Sequence, residues 1–153
     1  MEVKERMKIY KRTKETEVIS AMALINPRLC KSRTILVEVE QQDEGPIPHV
    51  HVYHDKTRDP KRCSYIRLDK AEYLTHHGGS KGIPLPPNLK KEFIEVMNSP
   101  WERHIIETTS GLRPATGYEA AVLIWAETYE DDRLDKFEVD EEGKLIIPDY
   151  ERL

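Results

Sequence analysis

Three histidines stand within one short run, Pro46-Ile47-Pro48-His49-Val50-His51-Val52-Tyr53-His54, whose other residues are those of a β-strand. Side chains on a strand alternate between its faces, so His49, His51 and Tyr53 share one face while Val50, Val52 and His54 take the other. Two imidazoles side by side can ligate a metal, pass protons or recognise an anion, because imidazole is a common metal ligand and titrates near neutral pH. The same pair also serves as ordinary surface or hydrogen-bonded strand histidines, and only structural context separates these uses.

Three chemistries are open to the run. A metal centre would combine His49 and His51 with a third ligand from His54, His76, His77, Cys63 or a carboxylate, since zinc takes three or four N, S or O ligands at about 2.0 to 2.3 Å. His54 joins them only if the strand ends or bulges before it, and the chain has neither HExxH nor a paired CxxC. Metal-free acid/base catalysis would set His49 and His51 beside Tyr53, Tyr65 and Arg67, whose guanidinium can hold a phosphate through two hydrogen bonds. Two-histidine phosphoesterases, however, carry two separated HxT or HxS motifs, and the single His49-Val50-His51 does not match them. No Ser or Cys has a defined base partner, and Cys63 reads as a small packing residue. The third chemistry is binding without catalysis. Lys56, Arg58, Lys61, Arg62, Arg67 and Lys70 gather around Asp59-Pro60, with Tyr53, Tyr65 and Tyr73 interleaved. That mixture suits a nucleotide or single strand, whose bases stack on aromatics, and equally an acidic protein; a solvated charged loop has the same composition.

The elements that must position these residues are legible in part. Ile35, Val37 and Val39 alternate with Leu36, Glu38 and Glu40, the period-2 pattern of a half-buried strand. A third strand over 63–69 sets Ile66 and Leu68 on one face and Tyr65 and Arg67 on the other. Short connections favour a three-stranded antiparallel meander over residues 33–69. If the valines face inward, His49, His51, Tyr53, Tyr65, Arg67 and either Glu38 or Glu40 line an outer face, which antiparallel sheets often leave solvated.

Around the meander, residues 1–16 read as an N-terminal arm or exposed helix, and Glu17 to Ile25 as a short helix or strand. Residues 71–86, with His76-His77 and Gly78-Gly79-Ser80-Lys81-Gly82, read as a flexible loop, a possible lid over the sheet face, and lack the full phosphate-loop pattern. A helix is expected from Pro87 to Met97, where Leu89, Phe93, Val96 and Met97 recur at helical spacing. Ser99-Pro100-Trp101-Glu102 looks like a capping box opening a short helix with Trp101, His104 and Ile105, although 104–108 also suits a strand. Thr116-Gly117-Tyr118-Glu119 is a second capping box, opening a helix to about Tyr129 that is apolar nearly all round. The helical part thus spans 87–130, a hairpin follows over 136–147, and Tyr150 to Leu153 reads as a loose tail. Glu130-Asp131-Asp132 reads as a solvated helix end.

The 153 residues suit one domain with one core. Charged residues make up 34% and net charge is −4, which argues against a general nucleic-acid coat or a basic membrane-surface protein. No stretch approaches the roughly 18 apolar residues of a membrane span, the first residues lack a signal core, and Cys30 and Cys63 read as thiols of a reducing compartment. A cytoplasmic location is expected.

Gly45-Pro46-Ile47-Pro48-His49-Val50-His51-Val52 resembles the Pro-Pro-His-Phe-His-Val stretch of a small bacterial domain family of unknown function, sometimes found beside toxin–antitoxin-like genes. The likeness covers about Arg33 to Asp69 and rests on the His-x-His strand after a proline turn; Ile47 interrupts the proline pair, and this chain is longer than that family's usual domain. It implies no catalytic residues. The charged, compact character also resembles accessory proteins of phages and mobile elements. The expectation is an α+β domain with an antiparallel sheet, two or three helices and a C-terminal hairpin. Its function is expected to be a non-enzymatic binding or regulatory module using His49, His51, Tyr53, Tyr65 and Arg67, with a protein or nucleotide partner and no cofactor. The alternative is a metal-dependent hydrolase or nuclease holding a divalent metal such as zinc at His49 and His51.

Overall fold

The computed structural model describes residues 9–12, 18–20, 34–39, 47–74, 76–77, 80–108, 111–128, 133–141 and 144–153. Strands β1 (Ile9–Arg12), β2 (Val18–Ser20), β3 (Leu36–Glu38), β4 (His49–Tyr53), β5 (Cys63–Arg67), β6 (Tyr73–Leu74), β7 (His76–His77) and β8 (Ser80–Lys81) precede helix α1 (Pro87–Asn98). Strands β9 (Pro100–Thr108) and β10 (Gly111–Thr116) and helix α2 (Gly117–Thr128) follow. The fold is α+β. Among the described residues, no helix is long and apolar enough to cross a membrane.

The antiparallel meander is present and has four strands, in the order β3-β4-β5-β6. Its register pairs Val37 with Val52 and Val52 with Ser64, and sets His51 between Glu38 and Tyr65. Directly paired residues share a face, so Val37, Val50, Val52, Ser64 and Ile66 lie on one side. Glu38, His49, His51, Tyr53, Tyr65 and Arg67 lie on the other. The faces divide as the alternation of the sequence requires.

The apolar side packs into one core with Leu89, Phe93, Val96 and Met97 of α1 and with α2, whose residues from Tyr118 to Trp125 are all buried. Burying a side chain the size of Phe93 contributes about 2 to 3 kcal/mol. Helix α2 has no polar stripe because it is enclosed: it packs on α1 and on β1, β9 and β10, while the Tyr118 hydroxyl donates to the Leu68 carbonyl at 2.8 Å. Its first turn is the expected capping box. The Glu119 N–H donates to Thr116 Oγ1 at 3.1 Å, and the Thr116 N–H donates to Glu119 Oε1 at 3.1 Å.

A second sheet, ordered β10-β9-β1-β2, departs from the sequence reading. Ile9–Arg12 is a strand rather than an arm or exposed helix, held between Val18–Ser20 and β9. That pairing joins residues some ninety positions apart, which a local pattern cannot reveal. Nor does the Ser99 capping box open a helix. Ser99 instead ends α1, its N–H donating to the Glu95 carbonyl at 3.0 Å. Pro100 fits the first residue of a strand, and the β-branched Ile105, Ile106 and Thr108 favour the sheet. In β10 the register shifts between Pro114 and Ala115, where proline lacks the N–H that a ladder uses.

Residues 71–86 are not loop throughout, since β6 extends the meander and β7 pairs with β8. The Ile83 N–H donates to the Cys63 carbonyl at 3.0 Å, holding the segment along β5. The C-terminal hairpin is short: Val139 bridges Leu145 antiparallel, with the Asp140 N–H donating to the Lys144 carbonyl at 2.8 Å and the Ile146 N–H to the Glu138 carbonyl at 3.0 Å. Beyond it the chain is no loose tail. Tyr150 is buried edge-on to Phe93 with ring centroids 5.0 Å apart, and its hydroxyl donates to the Arg67 carbonyl at 2.8 Å.

Candidate functional site

Strand β4 presents His49 and His51 as neighbours on the polar face, and their rings stack at 5.3 Å between centroids with 20° between planes. Tyr65, opposite on β5, meets His51 edge-on at 4.9 Å, and Tyr53 does so at 6.5 Å. The structure brings four of the five expected residues into one aromatic layer. The fifth does not join them through its charge: Arg67 forks onto Asp69, Nε to Oδ1 at 2.8 Å and Nη2 to Oδ2 at 2.7 Å. Hydrogen bonding to Asp69 raises the Arg67 pKa further, so the guanidinium stays charged and engaged.

This face is not the solvated surface that the alternation suggests. His49 is 5% exposed, His51 6%, Tyr65 4% and Glu38 5%. Two distant segments help to cover it. Arg58, from the loop after β4, folds back to pair with the Glu38 carboxylate. Gly82 lies so close that a Cβ there would come within 2.7 Å of Tyr65 Cδ2. A side chain at position 82 would push into the aromatic layer, so this glycine is needed for the close approach. Neither contact is visible in a strand's polarity pattern.

The ligating capacity of the layer follows from proton positions. His49 Nδ1 lies 2.7 Å from the Ile47 carbonyl, an acceptor only, so Nδ1 carries a proton and in the neutral ring the lone pair sits on Nε2. Histidine ligands of metals are commonly oriented in this way. Among the described residues, however, no group of three or more His, Cys, Asp or Glu side chains converges as a metal site would require. The side chains of His76 and His77 lie outside the described residues, as do Cys30, Glu40 and residues 130–132.

His54 points to the other side of the sheet, with the valines. Its Nε2 lies 2.8 Å from Ser64 Oγ, and that hydroxyl also reaches the Ile83 carbonyl. The pair resembles a nucleophile and its base, but the protons run the wrong way. Ser64 must donate to the carbonyl, so it accepts from His54 Nε2–H, and the imidazole cannot also take its proton. The trio pins Ile83 to β5. Ser64→Ala is expected to cost about 1 to 3 kcal/mol in urea denaturation, because a buried imidazole N–H loses its acceptor.

Burial first, and then the Arg62 charge, lowers the His54 pKa below 6.5, with Asp55 opposing. The unfolded chain therefore takes up this proton before the folded one does. The corresponding stability is present in full above 6.5 and is lost as pH falls below that value toward the folded pKa. Stability of His54→Gln measured against pH should be flatter than that of the native chain over this window; parallel curves would remove His54 from the acid response.

Around Asp59-Pro60, five of the six basic residues singled out have an acceptor or an acid near them, Arg58 on Glu38 and Arg67 on Asp69 among them, while Lys61 stays exposed. Arg62 meets Asp55 at 3.0 Å, Lys70 stands 3.9 Å from Glu72, and Lys56 donates to the Ile35 carbonyl at 2.9 Å. Cys63 is a buried thiol directed at the Ser64 carbonyl at 3.7 Å, in keeping with a packing residue. A mixed-charge cleft of about 190 Å³ lies away from the histidines, between Asp69, Lys70, Glu138, Asp149 and Arg152. The part-buried ion pair of Arg113 with Glu119, at 2.6 Å, was not read from the sequence beyond its capping box. The partners stand six positions apart across a strand-to-helix turn, a spacing that no helix or strand rule flags.

Compared with known proteins, the chain matches no family model, no curated protein and no solved structure.

Proposed function

We propose that the chain is a non-enzymatic binding or regulatory module of the cytoplasm, built on the face of His49, His51, Tyr53, Tyr65 and Arg67 and taking a protein or nucleotide partner. The observation that carries this reading is the ring packing: His49 and His51 stack on each other, Tyr65 closes on His51, and Arg67 is occupied by Asp69. An enzyme needs its acid, base or metal ligands to converge on a cavity that a substrate can enter. Imidazoles turned on one another instead stiffen the sheet, and partner contacts fall to the rim, where Tyr53 and Arg67 are partly exposed. Kinship with the Pro-Pro-His-Phe-His-Val domains, and an accessory role in a phage or mobile element, belong to the same proposal and add no activity.

One observation favours the alternative, a metal-dependent hydrolase or nuclease: the tautomer of His49 sets Nε2 as a ligand nitrogen. Elemental analysis separates the two. The purified, untagged protein and its His49→Ala/His51→Ala variant are both expected to lack stoichiometric zinc, manganese or iron. Near-stoichiometric metal that disappears in the variant would replace the binding module with the metal enzyme.

A further inference from the structure

The loop between β4 and β5 is cationic and tightly built. Residues 55–62 carry Lys56, Arg58, Lys61 and Arg62 against Asp55 and Asp59, a local charge of +2 in a chain of net charge −4. Both acids are used within the loop. Asp55 accepts the Thr57 N–H at 2.9 Å and pairs with Arg62, while Asp59 accepts the Lys61 N–H at 2.9 Å. The His54 N–H, donating to the Arg62 carbonyl at 2.9 Å, closes the base of the loop. Arg58, Lys61 and Arg62 are exposed on this frame. Arg58 adopts φ +58°, a conformation that favours glycine, and its guanidinium pairs with Glu38 while half of the side chain stays in solvent. Tyr53 stands at the foot of the loop, partly exposed and paired with Cys63 across the strands.

We propose that this loop and Tyr53 together bind single-stranded nucleic acid, the three exposed cations following successive phosphates and the ring receiving a base. The proposal rests on the binding-module reading and gives it a partner class. The backbone bonds of the loop set the spacing of the three side chains, Arg58 and Arg62 resting on Glu38 and Asp55 with half or more of each side chain in solvent, and sequence-tolerant single-strand binding combines such cations with an aromatic platform. An acidic peptide would use the cations alone and gain nothing from the ring.

Fluorescence anisotropy with a short labelled oligothymidylate, over a range of salt concentrations, tests it. Three neutralised phosphates give a slope of log affinity against log salt of about −2, and Lys61→Gln/Arg62→Gln should reduce it to about −0.7. Tyr53→Leu should weaken binding by about tenfold at an unchanged slope, and Tyr53→Phe should restore it, since the ring is kept. Absence of binding at low salt, or a slope that the double variant leaves intact, overturns the proposal. Polyglutamate competing as well as the oligonucleotide, with Tyr53→Leu binding like the native chain, would also overturn it and leave a module for acidic proteins. Stoichiometric metal lost on replacing His49 and His51 would instead remove the underlying reading, whatever the oligonucleotide does.

Discussion

Replacing Glu119 by alanine is expected to lower the unfolding free energy by about 3 kcal/mol in urea denaturation, the lower end of the cost of removing one partner from a buried ion pair. Glu119 is 3% exposed, and its carboxylate receives the Arg113 fork, Nη1 to Oε1 at 2.9 Å and Nη2 to Oε2 at 2.6 Å, as well as the Thr116 N–H. The value falls at the lower end because the Arg113 side chain is 29% exposed and its charge is screened. Thr116→Ala removes only the cap and should cost about 1 kcal/mol. Equal losses in the two variants would show that the fork contributes nothing beyond the cap. Burial alone would raise the Glu119 pKa, but the Arg113 and Thr116 hydrogen bonds outweigh it and hold the carboxyl below 4.5. The unfolded state then binds this proton first as pH falls. The stability difference from Glu119→Gln should be full above 4.5 and shrink as pH drops through the folded value.

Tyr150→Ala is expected to cost about 3 to 5 kcal/mol, as for other large aromatic residues removed from a core. Its ring meets Phe93 of α1 and its hydroxyl meets the Arg67 carbonyl of β5, so it fastens helix to sheet. Lys90 adds a second tie, donating to the Glu151 carbonyl at 3.1 Å. Burial, with the neighbouring Tyr118 and Asp69, pushes the Tyr150 pKa well up, so the hydroxyl keeps its proton and remains a donor. Tyr150→Phe keeps the packing, loses one hydrogen bond and should cost about 1 kcal/mol. An alanine variant as stable as the native chain would mean that residues 150–153 are the loose end their composition suggests.

Sequence patterns carried the local part of this fold. The alternation around Val50 and Val52 gave the meander and its two faces, and helical spacing from Leu89 to Met97 together with the Thr116 capping box gave both helices. Two kinds of feature were out of reach. Ile9–Arg12 becomes a strand only because β9 lies beside it, and four residues carry no periodicity strong enough to say so. The fate of the polar face depended on Arg58 and Gly82, neither of which belongs to β4. Alternation shows which residues share a face, while burial of that face is set by whatever folds over it. Alternation therefore placed His49, His51, Tyr53 and Tyr65 on one face, as the register has them, but not the burial of His49, His51 and Tyr65. Tyr150 misled for a related reason: one aromatic among charged residues near the end of the sequence gives no sign of the Phe93 ring it meets.

If the stacked rings of His49 and His51 serve a binding module, as proposed, and not a metal centre, zinc should leave them as they are. Nitrogen-15 spectra of the histidine rings, recorded without metal and then with one equivalent of zinc, test it most directly. A proton is expected on His49 Nδ1 and on His54 Nε2, with the Nε2 signals of His49 and His51 unmoved by zinc. Joint movement of those two signals, saturating at one equivalent, would contradict it.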